Sequence, residues 1–140
     1  MKVEREEIEK LIEEAFEGRK MAYAPYSQFL VGTAILCDNG KIYKGCNIEN
    51  GSYGASNCGE RTAIFSAISN GDRQFRGICV VGGKEKSDTQ VETYAYPCGI
   101  CRQVMSEFVN LDSFFVIIAK SKTDYKIFTL REILPHSFEI

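Results

Sequence analysis

The sequence predicts an α/β fold, a three-layer α/β/α sandwich built on a mixed five-stranded sheet whose last two strands are antiparallel. Three observations predict it. Helical and strand patterns alternate along the chain. The segments 77–81 and 113–119 are almost wholly apolar, which is typical of central strands covered on both faces. The connection 121–124 is too short for a helical crossover, so the strand that follows it should pair antiparallel with the strand before it.

Nine elements are predicted along the chain. In order they are helix 4–21, strand 29–37, strand 41–47, helix 58–69, strand 77–81, helix 98–110, strand 113–119, strand 125–128 and helix 130–134. Apolar residues at helical spacing define the first helix, whose many charges should form a solvated face. Pro25 follows its end, and the turn Asp38-Asn39-Gly40 joins the first two strands into a hairpin. Asn70-Gly71 predicts the end of the second helix.

The second half of the chain carries fewer but clear boundary signals. Segment 84–96 is polar and holds no motif. Pro97 suits the start of the third helix, because its missing N–H would have no intrahelical partner there. Thr129 should cap the short last helix. With no linker, internal repeat or low-complexity segment, residues 1–140 are predicted to form one domain.

The composition excludes several classes of function. Hydrophobic residues at 44% and charged ones at 26% describe an ordinary globular protein. The net charge of -2 gives no electrostatic reason to expect a nucleic-acid partner. No apolar run approaches ~20 residues and the N-terminus reads as a charged helix, so neither a membrane span nor a signal peptide is expected. A cytoplasmic location follows, with reduced thiols and with Cys37, Cys46 and Cys79 as small buried side chains.

The other three cysteines have the spacing of a metal site. Cys98 and Cys101 are three residues apart at a helix start, so both sulfurs lie on one face and can reach one ion. Cys58, at the start of another helix, is the best third ligand. Free N–H groups at both helix starts favour thiolates. A soft three-thiolate set selects zinc and leaves the fourth tetrahedral position to water, so one Zn²⁺ per subunit is predicted.

Charged residues next to these cysteines indicate catalysis. Glu60 is too close along the chain to be the natural fourth ligand, but as a general acid and base it can move the protons of a water. Three thiolates over-neutralise Zn²⁺, so the site needs positive charge or hydrogen bonds at sulfur. Arg61 and Arg102 are both candidates for this role, and Arg61 is favoured.

These residues resemble a known family. The stretch Cys58-x-Glu60-Arg61, followed by Pro97-Cys98-x-x-Cys101, is similar to the signature of the zinc deaminases that act on nucleobases. The likeness extends to segments 24–32 and 45–50 and to Leu134-Pro135, and so runs almost from end to end. Within the cytidine/deoxycytidylate deaminase superfamily, the chain resembles the small homotetrameric cytidine deaminases that act on free nucleosides.

The resemblance implies a cytidine deaminase-like fold and a zinc-dependent hydrolase of pyrimidine salvage. The reaction it implies is deamination of cytidine and 2′-deoxycytidine to uridine and 2′-deoxyuridine with release of ammonia. It further implies a homotetramer with shared active sites, in which Tyr53 and Phe138 match positions that reach a neighbouring subunit's pocket. The N–H of Gly59 is implied to face the base oxygen.

Three further residues predict the substrate side of the site. Asn47 and Glu49 flank Ile48 at a strand end, so both side chains can point to one face. An amide beside a carboxylate suits a neutral sugar hydroxyl, and the carboxylate would repel a phosphate. The resemblance assigns this pair to the ribose. Phe29 can stack on a pyrimidine or belong to the core, and the resemblance places it against the base.

Three positions depart from the family's pattern and leave alternatives open. Gly59 stands where alanine is usual, Ile100 replaces a small residue, and Tyr96 replaces a small polar one beside the pocket. The same zinc chemistry on a modified or antibiotic cytosine nucleoside is therefore an alternative function. A non-catalytic module with structural zinc is another, but such sites normally need four protein ligands, and neither Cys46 nor His136 has ligand-like spacing.

Overall fold

The computed structural model describes residues 2–140, and all nine predicted elements are found there within a few residues of their expected bounds. In chain order the elements are α1 (Arg5–Arg19), β1 (Leu30–Cys37), β2 (Ile42–Cys46), a 3-10 helix (Tyr53–Ala55), α2 (Gly59–Ser69), β3 (Phe75–Gly83), α3 (Gly99–Phe108), β4 (Phe115–Ser121), β5 (Asp124–Thr129) and α4 (Leu130–Ile133). The 3-10 helix lies between the predicted strand 41–47 and the predicted helix 58–69, where no element is predicted. None of the helices in residues 2–140 is long and apolar enough to cross a bilayer.

The five strands form one mixed sheet in the order β2-β1-β3-β4-β5. The pairs β1–β2, β1–β3 and β4–β5 are antiparallel, and only β3 and β4 run parallel. The parallel pair needs a crossover connection, and α3 lies in it. The short connection between β4 and β5 gives the antiparallel pairing that its length predicts. The mixed sheet and its antiparallel last strands are therefore confirmed.

Helices cover both faces of the sheet, as predicted for three layers. Alternate residues of β1 point to opposite faces, so Ala34 and Leu36 join the apolar core beneath α1. Ile35 and Cys37 join the other core, which also holds Ala63 of α2 and side chains of α3 and α4. The central strands β3 and β4 are buried almost throughout, which explains why their sequences are nearly all apolar.

The helix ends follow the signals read from the sequence. Gly71, just after α2, has a φ of +94°, the left-handed conformation that favours glycine at a helix end. The hydroxyl of Thr129 accepts a hydrogen bond from the backbone N–H of Glu132, whose carboxylate reaches back to the Thr129 N–H. This capping box confirms the predicted cap of α4.

Arg19 is an exception to the prediction that the charges of α1 are solvated. The residue is only 4% exposed, and its guanidinium donates hydrogen bonds to four backbone carbonyls. The acceptors are Leu30 O at 3.0 Å, Gly83 O at 2.8 Å, Ser87 O at 2.9 Å and Glu85 O. Arg19 therefore ties the end of α1 to the start of β1 and to the loop that follows β3.

We expect Arg19→Met to destabilise the fold by about 3 kcal/mol, because four carbonyls in buried or partly buried hydrogen bonds then lose a charged donor. Urea unfolding of the variant and the parent protein measures the difference. Arg5→Met is the matched control, since Arg5 is exposed and forms an exposed ion pair with Glu9, and its effect should stay within about 0.5 kcal/mol. Equal unfolding midpoints for all three proteins would contradict the role given to Arg19.

Candidate active site

The starts of two helices bring three cysteine sulfurs together. Cys58 is the residue that precedes α2, Cys98 is the residue that precedes α3, and Cys101 lies in the first turn of α3. The Sγ atoms of Cys58 and Cys98 are 3.8 Å apart, and those of Cys98 and Cys101 are 3.5 Å apart. All three ligand atoms lie within 4.8 Å of one another. Residues forty positions apart in sequence thus form one cluster, as predicted.

The cluster fits a zinc ion. In a tetrahedral site with Zn–S bonds of about 2.3 Å, neighbouring sulfurs lie about 3.8 Å apart, which is close to the two distances given above. Three thiolates form the soft ligand set that zinc favours, and they leave one position open for a water or substrate. The remaining three cysteines are buried in the cores, and His136 is exposed and outside the cluster.

A positive charge lies against the sulfurs. The Nη2 of Arg61 donates a hydrogen bond to the Sγ of Cys58 at 3.2 Å. The neighbouring Cys101 thiol, reinforced by Arg61, lowers the pKa of Cys58 below the usual thiol value against the opposing effect of burial. Arg102, the other candidate, instead donates to the carbonyls of Pro97 and Ile133. Of the two arginines, Arg61 is the one placed to compensate thiolate charge.

Glu60 lies in the first turn of α2 and is almost fully buried. The residue is 4% exposed, yet it also lines the cavity described below. Burial, assisted by the nearby charge of Cys58, raises the pKa of Glu60 to about 7 against the opposing effects of its own backbone N–H and of Arg61. A carboxyl group whose pKa lies near neutral pH can both take and give a proton, which is what general acid–base catalysis requires.

A cavity of about 470 Å³ opens beside the cluster, a size that suits a small-molecule ligand. It is lined by nine of the residues selected from the sequence: Phe29, Asn47, Glu49, Tyr53, Cys58, Gly59, Glu60, Arg61 and Cys98. Cys101 is fully buried behind this wall. Phe138 is 64% exposed and does not line the cavity of its own chain. Tyr53 lines its own chain's cavity, a placement that the sequence prediction did not include.

Backbone contacts orient the two residues predicted to face a sugar. The Asn47 side chain donates to Phe29 O at 2.7 Å and accepts from the N–H of Val31 at 2.9 Å. The Glu49 carboxylate accepts from the N–H groups of Tyr26 and Ser27 and from the Ser27 hydroxyl. The Ser27 hydroxyl and these N–H groups lower the pKa of Glu49, so its carboxylate is charged at neutral pH. Both side chains are therefore held in place before any ligand arrives.

Part of the cavity wall was not predicted from the sequence. Val31, Val80 and Ala95 line the cavity, although the two valines have the apolar strand pattern of core residues and Ala95 lies in a segment without a motif. Gly82 makes room for this wall: a Cβ there would lie 2.8 Å from Ala95 Cβ and 2.9 Å from Phe29 Cε1. No local signal marks these residues, because only the folded sheet brings them together.

Tyr96 and Ile100 form an apolar edge of the same cavity. They are 44% and 62% exposed, and both line it. The ring of Tyr96 lies with its centroid 5.8 Å from that of Phe128, which supports it from β5. Two of the positions that depart from the family's pattern therefore face the space in which a substrate would bind.

Three thiols around one point, with an arginine on the sulfur and a buried glutamate beside them, define the class of zinc-dependent hydrolytic deaminases. Comparison of the chain with known protein families and structures narrows this class. Residues 5–117 match the family described as "Cytidine and deoxycytidylate deaminase zinc-binding region". The chain belongs to this family, and it is a hydrolytic enzyme with a zinc-binding deaminase domain.

Similar proteins support the assignment over nearly the whole chain. A cytidine deaminase of Sporosarcina psychrophila is 46% identical over 132 residues, covering 94% of this chain and 91% of the relative. One from Halalkalibacterium halodurans is 43% identical over 128 residues, covering 91% of each chain. The crystal structure of cytidine deaminase from Burkholderia pseudomallei superposes with a TM-score of 0.82 at 42% identity, covering 92% of this chain and 97% of that one.

Proposed function

We propose that the protein catalyses the hydrolytic deamination of cytidine and 2′-deoxycytidine to uridine and 2′-deoxyuridine, with release of ammonia. The observation that carries this proposal is the single cavity that joins the cysteine cluster and Glu60 to the oriented pair Asn47 and Glu49. Relatives of this protein that are named cytidine deaminases support cytosine as the base. A role in pyrimidine salvage is part of the proposal.

Glu60 carries the protons of the reaction. A zinc ion held by Cys58, Cys98 and Cys101 would supply a Lewis acid that lowers the pKa of a water toward about 7. The Glu60 carboxylate takes a proton from the attacking water and gives it to N3 of the cytosine ring, which makes C4 electrophilic, and the hydroxide left behind forms a bond to C4. Glu60 then takes the proton of the new C4 hydroxyl and delivers it to the amino group, so that the C4–N bond breaks as the C4 carbonyl forms. One water is consumed and one ammonia leaves, so Glu60 ends in the state in which it began.

Arg61 and the helix starts keep the thiols in their charged form. The hydrogen bond from Arg61 to Cys58 offsets part of the negative charge of three thiolates. The N–H groups in the first turns of α2 and α3 act on the same sulfurs. Less negative charge on these sulfurs would leave a zinc ion held there a stronger Lewis acid toward water.

The cavity binds a nucleoside between Phe29 and the sugar-facing pair. Asn47 still has one amide hydrogen and one lone pair free, and the Glu49 carboxylate keeps acceptor capacity, so both can bond ribose hydroxyls. Phe29 offers an aromatic face to the base, and the N–H of Gly59 faces its oxygen. The charge of Glu49 repels a phosphate, which favours nucleosides over nucleotides and nucleic acid.

The assembly and location of the protein are part of the proposal. A single domain over residues 1–140 assembles as a homotetramer in which Tyr53 and Phe138 contribute to shared active sites. The exposure of these two aromatic side chains, 76% and 64%, supports a contact with another subunit. The three metal-binding thiols must stay reduced, which favours the cytoplasm.

An alternative is the same chemistry on a modified or antibiotic cytosine nucleoside. The observation that favours it is the apolar edge of Tyr96 and Ile100 at the cavity. Extra apolar surface on a base or sugar could pack against these side chains. The non-catalytic alternative has less support, because the cluster found in residues 2–140 has three protein ligands and a buried glutamate that a structural site would not use.

An assay of purified protein with measured zinc content tests the proposal. We expect uridine and ammonia to form from cytidine in equal amounts, and deoxycytidine to react likewise. Cytidine 5′-monophosphate and a cytosine-containing DNA strand should react at least roughly tenfold more slowly, given the charge of Glu49. Higher activity on a panel of modified cytosine nucleosides would support the alternative, and no deamination of any cytosine compound would reject both.

A further inference from the structure

Thr33 is a buried polar residue in the middle of β1, in an otherwise apolar run. It is 0% exposed, and its hydroxyl donates a hydrogen bond to the carbonyl of Gly59 at 2.7 Å. Gly59 is the first residue of α2, and it lies between the metal-binding Cys58 and the proton-carrying Glu60. Thr33 itself does not line the cavity. In residues 2–140, the one hydrogen bond made by the Thr33 side chain therefore ends at the helix turn that carries Cys58 and Glu60.

The first turn of α2 lies against the sheet with very little space between them. A Cβ on Gly45 of β2 would lie 2.5 Å from Gly59 O and 2.6 Å from Ala63 N, closer than such atoms approach. A Cβ on Gly59 would lie 3.0 Å from the Cγ2 of Thr33 and 3.1 Å from a Val31 methyl. Because residue 59 is glycine, the Thr33 methyl group has room beside it. The Thr33 hydroxyl then reaches the Gly59 carbonyl.

The hydrogen bond acts on a particular peptide group. The Gly59 carbonyl and the Glu60 N–H belong to the same planar unit, so fixing one fixes the other. The position of this peptide plane also sets where the Glu60 side chain leaves the backbone. The Thr33 hydroxyl therefore acts, through one rigid peptide plane, on the backbone of Glu60.

We propose that Thr33 is a positioning residue for Glu60 and Cys58, and that Thr33 and Gly59 form a matched pair that sets where the first turn of α2 lies on the sheet. The inference rests on the proposed function for its activity readout. It assigns to β1 a part in catalysis, in addition to the contact with the base predicted for Phe29, the residue that precedes this strand. It also gives a structural reason for glycine, in place of the usual alanine, at position 59.

The first test compares Thr33→Val with Thr33→Ser. Valine keeps the shape but puts a methyl group where the hydroxyl meets the Gly59 carbonyl, whereas serine keeps the hydroxyl. We expect the valine variant to lose about fivefold to tenfold in kcat, as the loss of one buried hydrogen bond predicts, with KM changed less than about twofold. The serine variant should recover most of that loss. Equal kcat values for the valine variant and the parent protein would overturn the proposal.

The second test is a double-mutant cycle. Gly59→Ala alone should lower kcat, because its Cβ presses on Thr33 and displaces the turn, and the same change in a Thr33→Ala background should cost several-fold less. Strictly additive effects would show that the two residues do not act as a pair. Zinc retention against a chelator is measured for every variant and should follow the same order, since Cys58 lies in the same turn.

Zinc retention separates this inference from the proposed function. If the parent protein deaminates no cytosine nucleoside, the proposed function fails, yet coupling between Thr33 and Gly59 in zinc retention would still support the positioning of Cys58. If the parent protein is active but the variants show neither the kcat loss nor the coupling, the pairing fails while the function stands. The thermal unfolding midpoint of each variant is also measured, so that a loss of kcat or zinc caused by global instability is recognised.

Discussion

Glu60→Gln is expected to lower kcat for cytidine by at least roughly 10²- to 10⁴-fold while the protein keeps its zinc. The amide has nearly the shape of the carboxyl group, but it cannot take a proton from water or give one to the base. Because the same group serves in several proton transfers, the loss should lie at the upper end of that range. Steady-state rates of uridine formation, together with zinc content per chain, measure the effect.

The control for this variant is Glu107→Gln. Glu107 lies on α3 with its side chain exposed, so the substitution makes the same chemical change away from the cavity. Its rate and zinc content should equal those of the parent protein. A Glu60→Gln protein that retains zinc and turns over cytidine at the parent rate would remove Glu60 from the mechanism. Loss of zinc together with activity would instead indicate that Glu60 supports the metal site.

The site was predictable from the sequence where its signals are local. Cys98 and Cys101 lie one helical turn apart, and their separation alone places both sulfurs on one face. Cys58 needed a second kind of signal, the carboxylate and arginine that follow it, which match a known signature. The starts of α2 and α3, which carry these cysteines, can also be predicted from the sequence. These features required no knowledge of how the two helices pack.

The features that the sequence did not reveal depend on contacts between distant residues. Arg19 has the spacing of a charged surface residue, and only folding brings the carbonyls of Gly83, Glu85 and Ser87, 64 to 68 positions away, within reach of its guanidinium. Thr33 likewise meets Gly59 across 26 positions. Periodicity indicates which face of an element is apolar, but it does not indicate which polar group will be buried with a partner.

The fold was predictable for a related reason. A sheet with helices on both faces needs only the order of elements and the lengths of their connections, and both can be read from the sequence. Strand β3 nevertheless extends to Phe75 and Gly83, beyond the predicted 77–81, because pairing with β1 lengthens it at both ends. The 3-10 helix at Tyr53 was missed because a single turn leaves too few residues for a periodic pattern.

Replacing one of the three clustered cysteines should abolish zinc binding while the protein stays folded. We expect Cys101→Ala to lower zinc content from about one ion per chain to near zero. Its kcat/KM should fall by roughly 10³-fold or more, because a Lewis acid supplies several kcal/mol of transition-state stabilisation. Elemental analysis of the purified variant and assays with and without added zinc measure both effects.

Cys37→Ala is a matched control, because Cys37 and Cys101 are both buried in the same apolar core and both substitutions remove one sulfur. Any cost of the small cavity is therefore shared by the two variants. Cys37→Ala should keep its zinc and its activity, since Cys37 lies outside the cluster. If both variants lost activity equally and both kept zinc, Cys101 would be a core residue rather than a ligand. The three-thiol site, and with it the assignment of a catalytic metal, would then have to be abandoned.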